Sequence, residues 1–166
     1  MTKSDDTILI LTTGGTIDKQ YFDALSEYKV GETQIAKMLT IARVTRQFEI
    51  AELMRKDSLE LDDADRALIK ERITASPHNR IVVTHGTDTM TVTAQALAGI
   101  ENKTIVLVGA LAPARFAESD AMFNLGMAFA CAQTASSGVY ITMNGSVFRG
   151  DAVVKDREKG SFVATC

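Results

Sequence analysis

The sequence predicts an α/β fold: one doubly wound, mainly parallel sheet with helices on both of its faces. Three observations lead there. The runs Ile8–Leu11, Ile81–Val83 and Ile105–Val108 are apolar at every position, as strands are when both faces are covered. Between these runs the apolar spacing changes to a helical one. The alternation of strand with helix then repeats along the chain, which implies right-handed βαβ crossovers.

In chain order, the strand Ile8–Leu11 comes first and leads into Thr12-Thr13-Gly14-Gly15-Thr16. Ile35, Met38, Leu39 and Ala42 then share one helical face, with Thr33 placed to cap its start. Phe48–Leu53 is the second strand. Leu61, Ala64, Leu68 and Ile69 repeat the helical spacing, with Asp62 or Asp63 as the cap. The third strand, Ile81–Thr84, runs into His85-Gly86-Thr87-Asp88-Thr89, and the helix Met90–Leu97 follows, stopped by Gly99. The fourth strand, Ile105–Val108, leads to Gly109-Ala110-Leu111-Ala112-Pro113. Ser119 or Asp120 starts a helix carrying Met122, Leu125 and Phe129, which ends near Gly138. Val139–Thr142 closes the series as the fifth strand. No repeat, low-complexity tract or linker interrupts it, so residues 1–166 read as a single domain.

Composition narrows the function classes. The chain has 166 residues, 46% hydrophobic and 23% charged, with a net charge of −3. Charges of both signs are mixed, so no basic stripe offers counterion release and a nucleic-acid partner is not expected. No apolar run approaches the roughly 20 residues needed to span a bilayer. The polar start, Met1 to Asp6, has no apolar secretory core. Cys131 and Cys166 lie far apart, and Cys131 falls in a small-residue helix as a buried thiol. Together these features point to a reduced, cytoplasmic compartment. The two histidines, His78 and His85, have no metal-ligand spacing around them. Neither the spaced triple glycine of a dinucleotide site nor a phosphate loop is present. Hence no metal and no cofactor are expected.

In doubly wound sheets, ligands bind beyond the carboxyl ends of the strands. Three strand ends here are polar and rich in small residues, and glycine in them lets backbone approach a ligand closely. Taken singly, Thr-Gly-Gly-Thr is a tight strand-to-helix turn, His85 is a satisfied histidine at a strand end, and His78 is solvated in a polar turn. Lys155, in the charged stretch Lys155–Lys159, reads as a solvated lysine, and Asp88 as an N-cap. Two hydroxyl-rich loops on strands that share one sheet edge say more than either alone.

Thr13-Gly14-Gly15-Thr16-Ile17 and His85-Gly86-Thr87-Asp88-Thr89-Met90 resemble the two signatures of the bacterial-type asparaginases, in the same order and at a similar separation. Val108-Gly109-Ala110 is similar to that family's third strand end, and Met143-Asn144 followed by Lys155 to the segment that carries its active-site lysine. The resemblance covers nearly the whole chain. It implies the N-terminal asparaginase fold and hydrolysis of L-asparagine to L-aspartate and ammonia, with Thr16 as nucleophile. It further implies a triad of Thr87, Lys155 and Asp88, with Asp88 also holding the substrate's α-ammonium. Such chemistry needs help, because a threonine hydroxyl is a poor nucleophile at neutral pH. A nearby ammonium lowers a hydroxyl's effective pKa.

The resemblance also implies an assisting tyrosine. Tyr28-Lys-Val-Gly31 matches the family's Tyr-x-Val-Gly segment and favours Tyr28, while Tyr21 stays open. Asp57 and Ser58 resemble the element that contacts the α-carboxylate and α-amine, although Leu59 stands where a polar residue is often found. Gly15, Gly86 and Ala110 would line the substrate with backbone.

Longer relatives continue into a second domain. The expectation is a natural short-chain member that assembles as a homodimer or homotetramer to cover the surface left bare. The rival functions are glutaminase or a general ω-amidase and, in a different class, a non-catalytic amino-acid-binding or amidotransferase-associated module.

Overall fold

The computed structural model describes residues 6–166; the polar start at residues 1–5 lies outside them. The chain forms β1 (Ile8–Gly14), a hairpin of β2 (Lys19–Phe22) and β3 (Glu27–Val30), α1 (Ile35–Ile41), β4 (Phe48–Lys56), α2 (Asp63–Ala75) and β5 (Arg80–Thr84). It continues through α3 (Met90–Ala96), β6 (Thr104–Val108), α4 (Ala121–Thr134), β7 (Gly138–Met143), β8 (Ser146–Arg149), β9 (Val153–Asp156) and β10 (Ser161–Ala164).

Six strands make one sheet in the order β4-β1-β5-β6-β7-β8. All neighbours pair parallel except β8, which returns antiparallel on β7. The predicted mainly parallel, doubly wound sheet is therefore present. Its five parallel strands run second, first, third, fourth, fifth in chain order, so the winding reverses between β1 and β5. A crevice opens beyond the strand ends at such a reversal.

Side chains alternate across the sheet and build two cores. Ile8, Ile10, Val82 and Val106 face α1 and α4, where they meet Ile35, Met38, Leu125 and Ala128. Leu9, Leu11, Ile81, Val83, Ile105 and Leu107 face α2 and α3, meeting Ile69, Ile73, Met90 and Ala94. This is why the runs are apolar at every position. Each such side chain contributes about 1.5–3 kcal/mol when fully buried. A one-residue slip of register would exchange the two faces, so the ends of β1 and β5 are held level.

Helix starts follow local chemistry. Asp62 caps α2 by accepting from Asp65 N–H, and Asp65 reciprocates on Asp62 N–H. Thr33 Oγ1 accepts from Ile35 N–H at 3.3 Å. At α4, Ser119 Oγ accepts from Ala121 N–H, while the Asp120 carboxylate turns back to Leu111 and Ala112 N–H. Helix α4 stops at Thr134 rather than near Gly138, because Ala135 is already extended and Gly138 opens β7. The hairpin β2–β3, the ribbon β9–β10 and the edge strand β8 were not foreseen. Among the described residues, no helix is long and apolar enough to cross a membrane.

Candidate active site

Backbone contacts pin three strand ends together at the reversal. Thr13 Oγ1 donates to the Thr84 carbonyl at 2.6 Å, tying β1 to β5. Gly15 has φ 88°, and a Cβ there would fall 2.5 Å from Gly86 N, so only glycine lets the two loops meet. Gly15 N–H donates to the Lys56 carbonyl at 2.9 Å, which ties the end of β1 to β4. A Cβ on Gly86 would lie 2.6 Å from Ser58 Cβ, so Gly86 is wedged against the loop after β4. Thr16, Thr87 and Asp57 each follow directly on one of these pinned residues. The fourth loop closes in as well: a Cβ on Gly109 would lie 3.3 Å from Thr87 Cγ2. Ala110, the next residue, is buried in the core beneath α4.

Lys155 lies on β9 and reaches across to the loop after β5. Its ammonium donates to Thr87 Oγ1 at 2.8 Å and to Asp88 Oδ1 at 2.9 Å. The Lys155 side chain is only 16% exposed, so it is not the solvated lysine that its charged neighbours suggest. Pairing in the β9–β10 ribbon explains this. Lys155 stands opposite Phe162, whose ring is buried in the core, and both therefore face inward. Asp88 is not the N-cap of α3 either. Thr89 holds that position and donates from Oγ1 to the Ser58 carbonyl at 2.8 Å.

His85 is fully buried behind this loop, with both ring nitrogens bonded. Nδ1 meets the Gly86 carbonyl and Nε2 meets Thr93 Oγ1, each at 2.7 Å. Arg66 Nε donates to Thr93 Oγ1 at 3.2 Å. These partners fix the proton order: Arg66 to Thr93, Thr93 to His85 Nε2, and His85 Nδ1–H to Gly86. Burial pushes the imidazole pKa down to about 4, so the ring is neutral and acts as a strut for Gly86. His78 is largely covered too, in contact with Glu49 at 3.2 Å. Burial raises the Cys131 thiol to about 11, which leaves it inert.

Thr16 opens a 3₁₀ turn, Thr16–Asp18, and is half-buried. The turn leads into the β2–β3 hairpin, which is closed at its base by Gly31 N–H donating to the Asp18 carbonyl. The Asp18 carboxylate is buried and accepts from Gln34 N–H at 2.9 Å; burial raises its pKa against that bond. Tyr21 and Tyr28 are cross-strand partners in the hairpin, with ring centroids 5.3 Å apart. The two candidates thus form one stack, which Phe116 extends edge-on to Tyr28.

After β4, Asp57 accepts from Leu59 N–H and pairs with Lys19 at 2.8 Å. Burial works against its ionisation, yet the Lys19 ammonium and nearby N–H groups hold its carboxyl below the usual range. Ser58 is 1% exposed, and among the described residues its hydroxyl has no hydrogen-bond partner. No group of His, Cys, Asp or Glu among the described residues is arranged to hold a metal ion.

Some residues at the site gave no sequence signal. Lys19, Arg66 and Thr93 lie outside both hydroxyl-rich loops, and only tertiary packing brings them in; Asp120 reads in the sequence only as a helix start. The reach of Asp120 back to Leu111 and Ala112, and of Asn124 Nδ2 to the Gly109 carbonyl at 3.0 Å, sets the fourth loop.

The model of the asparaginase N-terminal family matches residues 7–161. The chain belongs to the asparaginase family. Among similar proteins, the glutaminase-asparaginase of Pseudomonas fluorescens biotype A is 30% identical over 162 residues, covering 89% of this chain and 45% of that protein. A glutamyl-tRNA(Gln) amidotransferase subunit from Methanococcus maripaludis is 33% identical, with 88% of this chain and 36% of its own length covered. The solved structure of the thermostable L-asparaginase from Thermococcus kodakarensis superposes with a TM-score of 0.83 at 27% identity, covering 95% of this chain and 51% of that one. This asparaginase-family chain spans about half or less of the length of the curated relatives it matches.

Proposed function

We propose that this asparaginase-family chain deaminates L-asparagine to L-aspartate and ammonia, with Thr16 as nucleophile. One observation carries the reading: an ammonium shared between a threonine hydroxyl and a carboxylate, in a loop packed on the one that bears a second threonine. In this reading Thr16 Oγ attacks the carboxamide carbon, its proton passes to the departing nitrogen, and ammonia leaves. Water then cleaves the acyl-threonine ester and releases aspartate. Lys155 donates to Thr87 Oγ1, so that oxygen sits in the field of a cation, which favours loss of its proton to a base. Asp88 keeps Lys155 in place and presents negative charge to the α-ammonium. Tyr28, or Tyr21 beside it, assists Thr16 from the hairpin, while Asp57, Ser58, Gly15, Gly86 and Ala110 complete the substrate's surroundings. The same proposal takes residues 1–166 as one asparaginase-type domain that assembles as a homodimer or homotetramer in the cytoplasm.

Glutamine is the second reading, supported by the Pseudomonas fluorescens relative, whose name pairs the two activities. One extra methylene changes binding by only about 1–3 kcal/mol in an apolar pocket. Ammonia release from L-asparagine and L-glutamine tests both readings. Wild type should release it, Thr16→Ala should not, and rapid quench should leave an acyl adduct on the Thr16 peptide. Full activity in Thr16→Ala refutes the nucleophile, and no ammonia from either amide refutes the proposal.

A further inference from the structure

The β2–β3 hairpin carries both candidate tyrosines. A two-stranded hairpin is marginally stable at best on its own in water, so its place comes from what it is tied to. The loop between β6 and α4 supplies three ties in three consecutive residues. Ala114 N–H donates to the Ile17 carbonyl at 3.0 Å, between Thr16 and the first strand of the hairpin. Arg115 Nη2 donates to the Glu32 carbonyl at 3.1 Å, just past the second strand. The Phe116 ring meets Tyr28 edge-on, with centroids 5.9 Å apart and planes at 72°. One tripeptide thus brackets the hairpin at both ends and packs on one of its tyrosines.

The loop is a fixed point because it is closed on itself. The Asp120 carboxylate accepts from Leu111 and Ala112 N–H, Ser119 Oγ donates to the Ala112 carbonyl at 2.9 Å, and Phe116 N–H donates to the Pro113 carbonyl at 3.0 Å. Pro113 restricts its backbone further. Its first residue, Gly109, lies against Thr87. The Arg115 cation also favours the ionised form of the buried Asp18 carboxylate, the group that binds Gln34 N–H where the chain leaves the hairpin.

From this geometry we propose that Phe116 is a positioning residue that fixes the Tyr28 hydroxyl relative to Thr16, and that Tyr28, rather than Tyr21, assists the nucleophile. The Tyr28 ring is held by two others, Tyr21 tilted at 56° and Phe116 at 72°, and Tyr21 joins the stack through Tyr28. Edge-to-face contacts have a preferred geometry, so the stack sets the direction of the ring as well as its place. The inference rests on the asparagine reading above and names the part of the chain that sets the tyrosine's position.

The test follows turnover and ring placement separately. Phe116→Ala should lower kcat about 10- to 100-fold, as a small misplacement of a reacting group does, and leave KM within about 3-fold. Phe116→Tyr, which keeps the ring, should restore kcat. In a Tyr28→Phe background, itself about 100-fold slower, Phe116→Ala should have no further effect, whereas in a Tyr21→Phe background its full effect should remain. A merely structural role for Phe116 predicts the same loss in all three backgrounds, and thermal melts show that each variant is folded. The chain has three tyrosines and no tryptophan, so 3-fluorotyrosine labelling gives three fluorine NMR lines, with that of Tyr28 assigned by its absence from Tyr28→Phe. Phe116→Ala should move the Tyr28 line and leave that of Tyr140 in place. An unchanged kcat in Phe116→Ala, equal losses in every background, or a loss that vanishes with Tyr21→Phe instead overturns the inference while wild-type turnover stands. No ammonia from wild type, with the Tyr28 line still moved by Phe116→Ala, overturns the asparagine reading and leaves Phe116 as the residue that places the ring.

Discussion

Replacing Lys155 by methionine removes an ammonium and keeps the length of the side chain. The structure lets the cost to stability and the cost to rate be worked separately. Lys155 is mostly covered, but its partner Asp88 is 34% exposed, so water can rehydrate the carboxylate that is left behind. The pair therefore lies between exposed pairs, worth about 0.2–1 kcal/mol, and buried ones, whose breaking costs about 3–5 kcal/mol. A loss of about 1–2 kcal/mol follows, partly offset by the packing of the methionine. For a chain of this size it lowers Tm by about 2–8 °C. The cost to rate is larger if the ammonium polarises Thr87. Preorganised donors at a reacting centre are worth about 2.7–4 kcal/mol, or about 10²–10³ in kcat. Coupled ammonia release gives kcat and scanning calorimetry gives Tm on the same preparation. A kcat within about 3-fold of wild type, alongside the expected fall in Tm, would refute the reasoning. Lys155 would then be a structural tie between the β9–β10 ribbon and the sheet.

Two further predictions come from the packing behind the loop. His85 titrates near 4 in the folded protein against 6.5 unfolded, so the unfolded chain binds more protons between those values. Its contribution is fully present above pH 6.5 and is lost as pH falls through 4, up to about 3 kcal/mol. His85→Gln should flatten the fall in Tm across that window, and melts that run parallel in the two proteins would contradict it. Gly86→Ala places a Cβ 2.6 Å from Ser58 Cβ and 2.7 Å from Ser58 Oγ. Overpacking of that kind costs about 1–3 kcal/mol, and the displaced loop carries Thr87, so kcat should fall with stability. Gly126→Ala on α4, where nothing lies within 4 Å of the new Cβ, is the control, with kcat unchanged.

The parallel core was legible because burial on both faces leaves a mark on every residue of a strand. Ile8–Leu11, Ile81–Val83 and Ile105–Val108 carry that mark, and the observed strands extend them by a few residues. The small antiparallel pieces left no such mark. In the hairpin Lys19–Val30, Tyr21 and Tyr28 pair with each other rather than with a core, and no apolar alternation results. Strand β9, Val153-Val-Lys-Asp, is half apolar and half charged, and Lys155 is turned inward opposite Phe162 on β10, a partner no local pattern announces. For that reason local spacing reads Lys155 as solvated, whereas its ammonium lies beside Thr87, the neighbour that the family resemblance implies. Periodicity reports burial in a sheet or helix; it does not report a lysine that a two-stranded ribbon turns inward.

The glycines show why the two loops were legible as a pair and not singly. Gly15 and Gly86 lie on loops far apart in sequence, yet each has a neighbour that excludes any side chain: Gly86 backbone for the first, Ser58 for the second. Gly14 and Gly15 both have a positive φ, 107° and 88°, so the turn itself calls for glycine at each. Gly15 answers to the other loop as well. The level register of β1 and β5, with Thr12 opposite Thr84, carries both loops to the same height, and the Thr13 hydroxyl locks them there. A threonine follows directly on each contact glycine at the reversal of the sheet, Thr16 half-buried and Thr87 buried. The sequence cost of the site is thus two residues that lack side chains, and its geometry follows from where the strands stop.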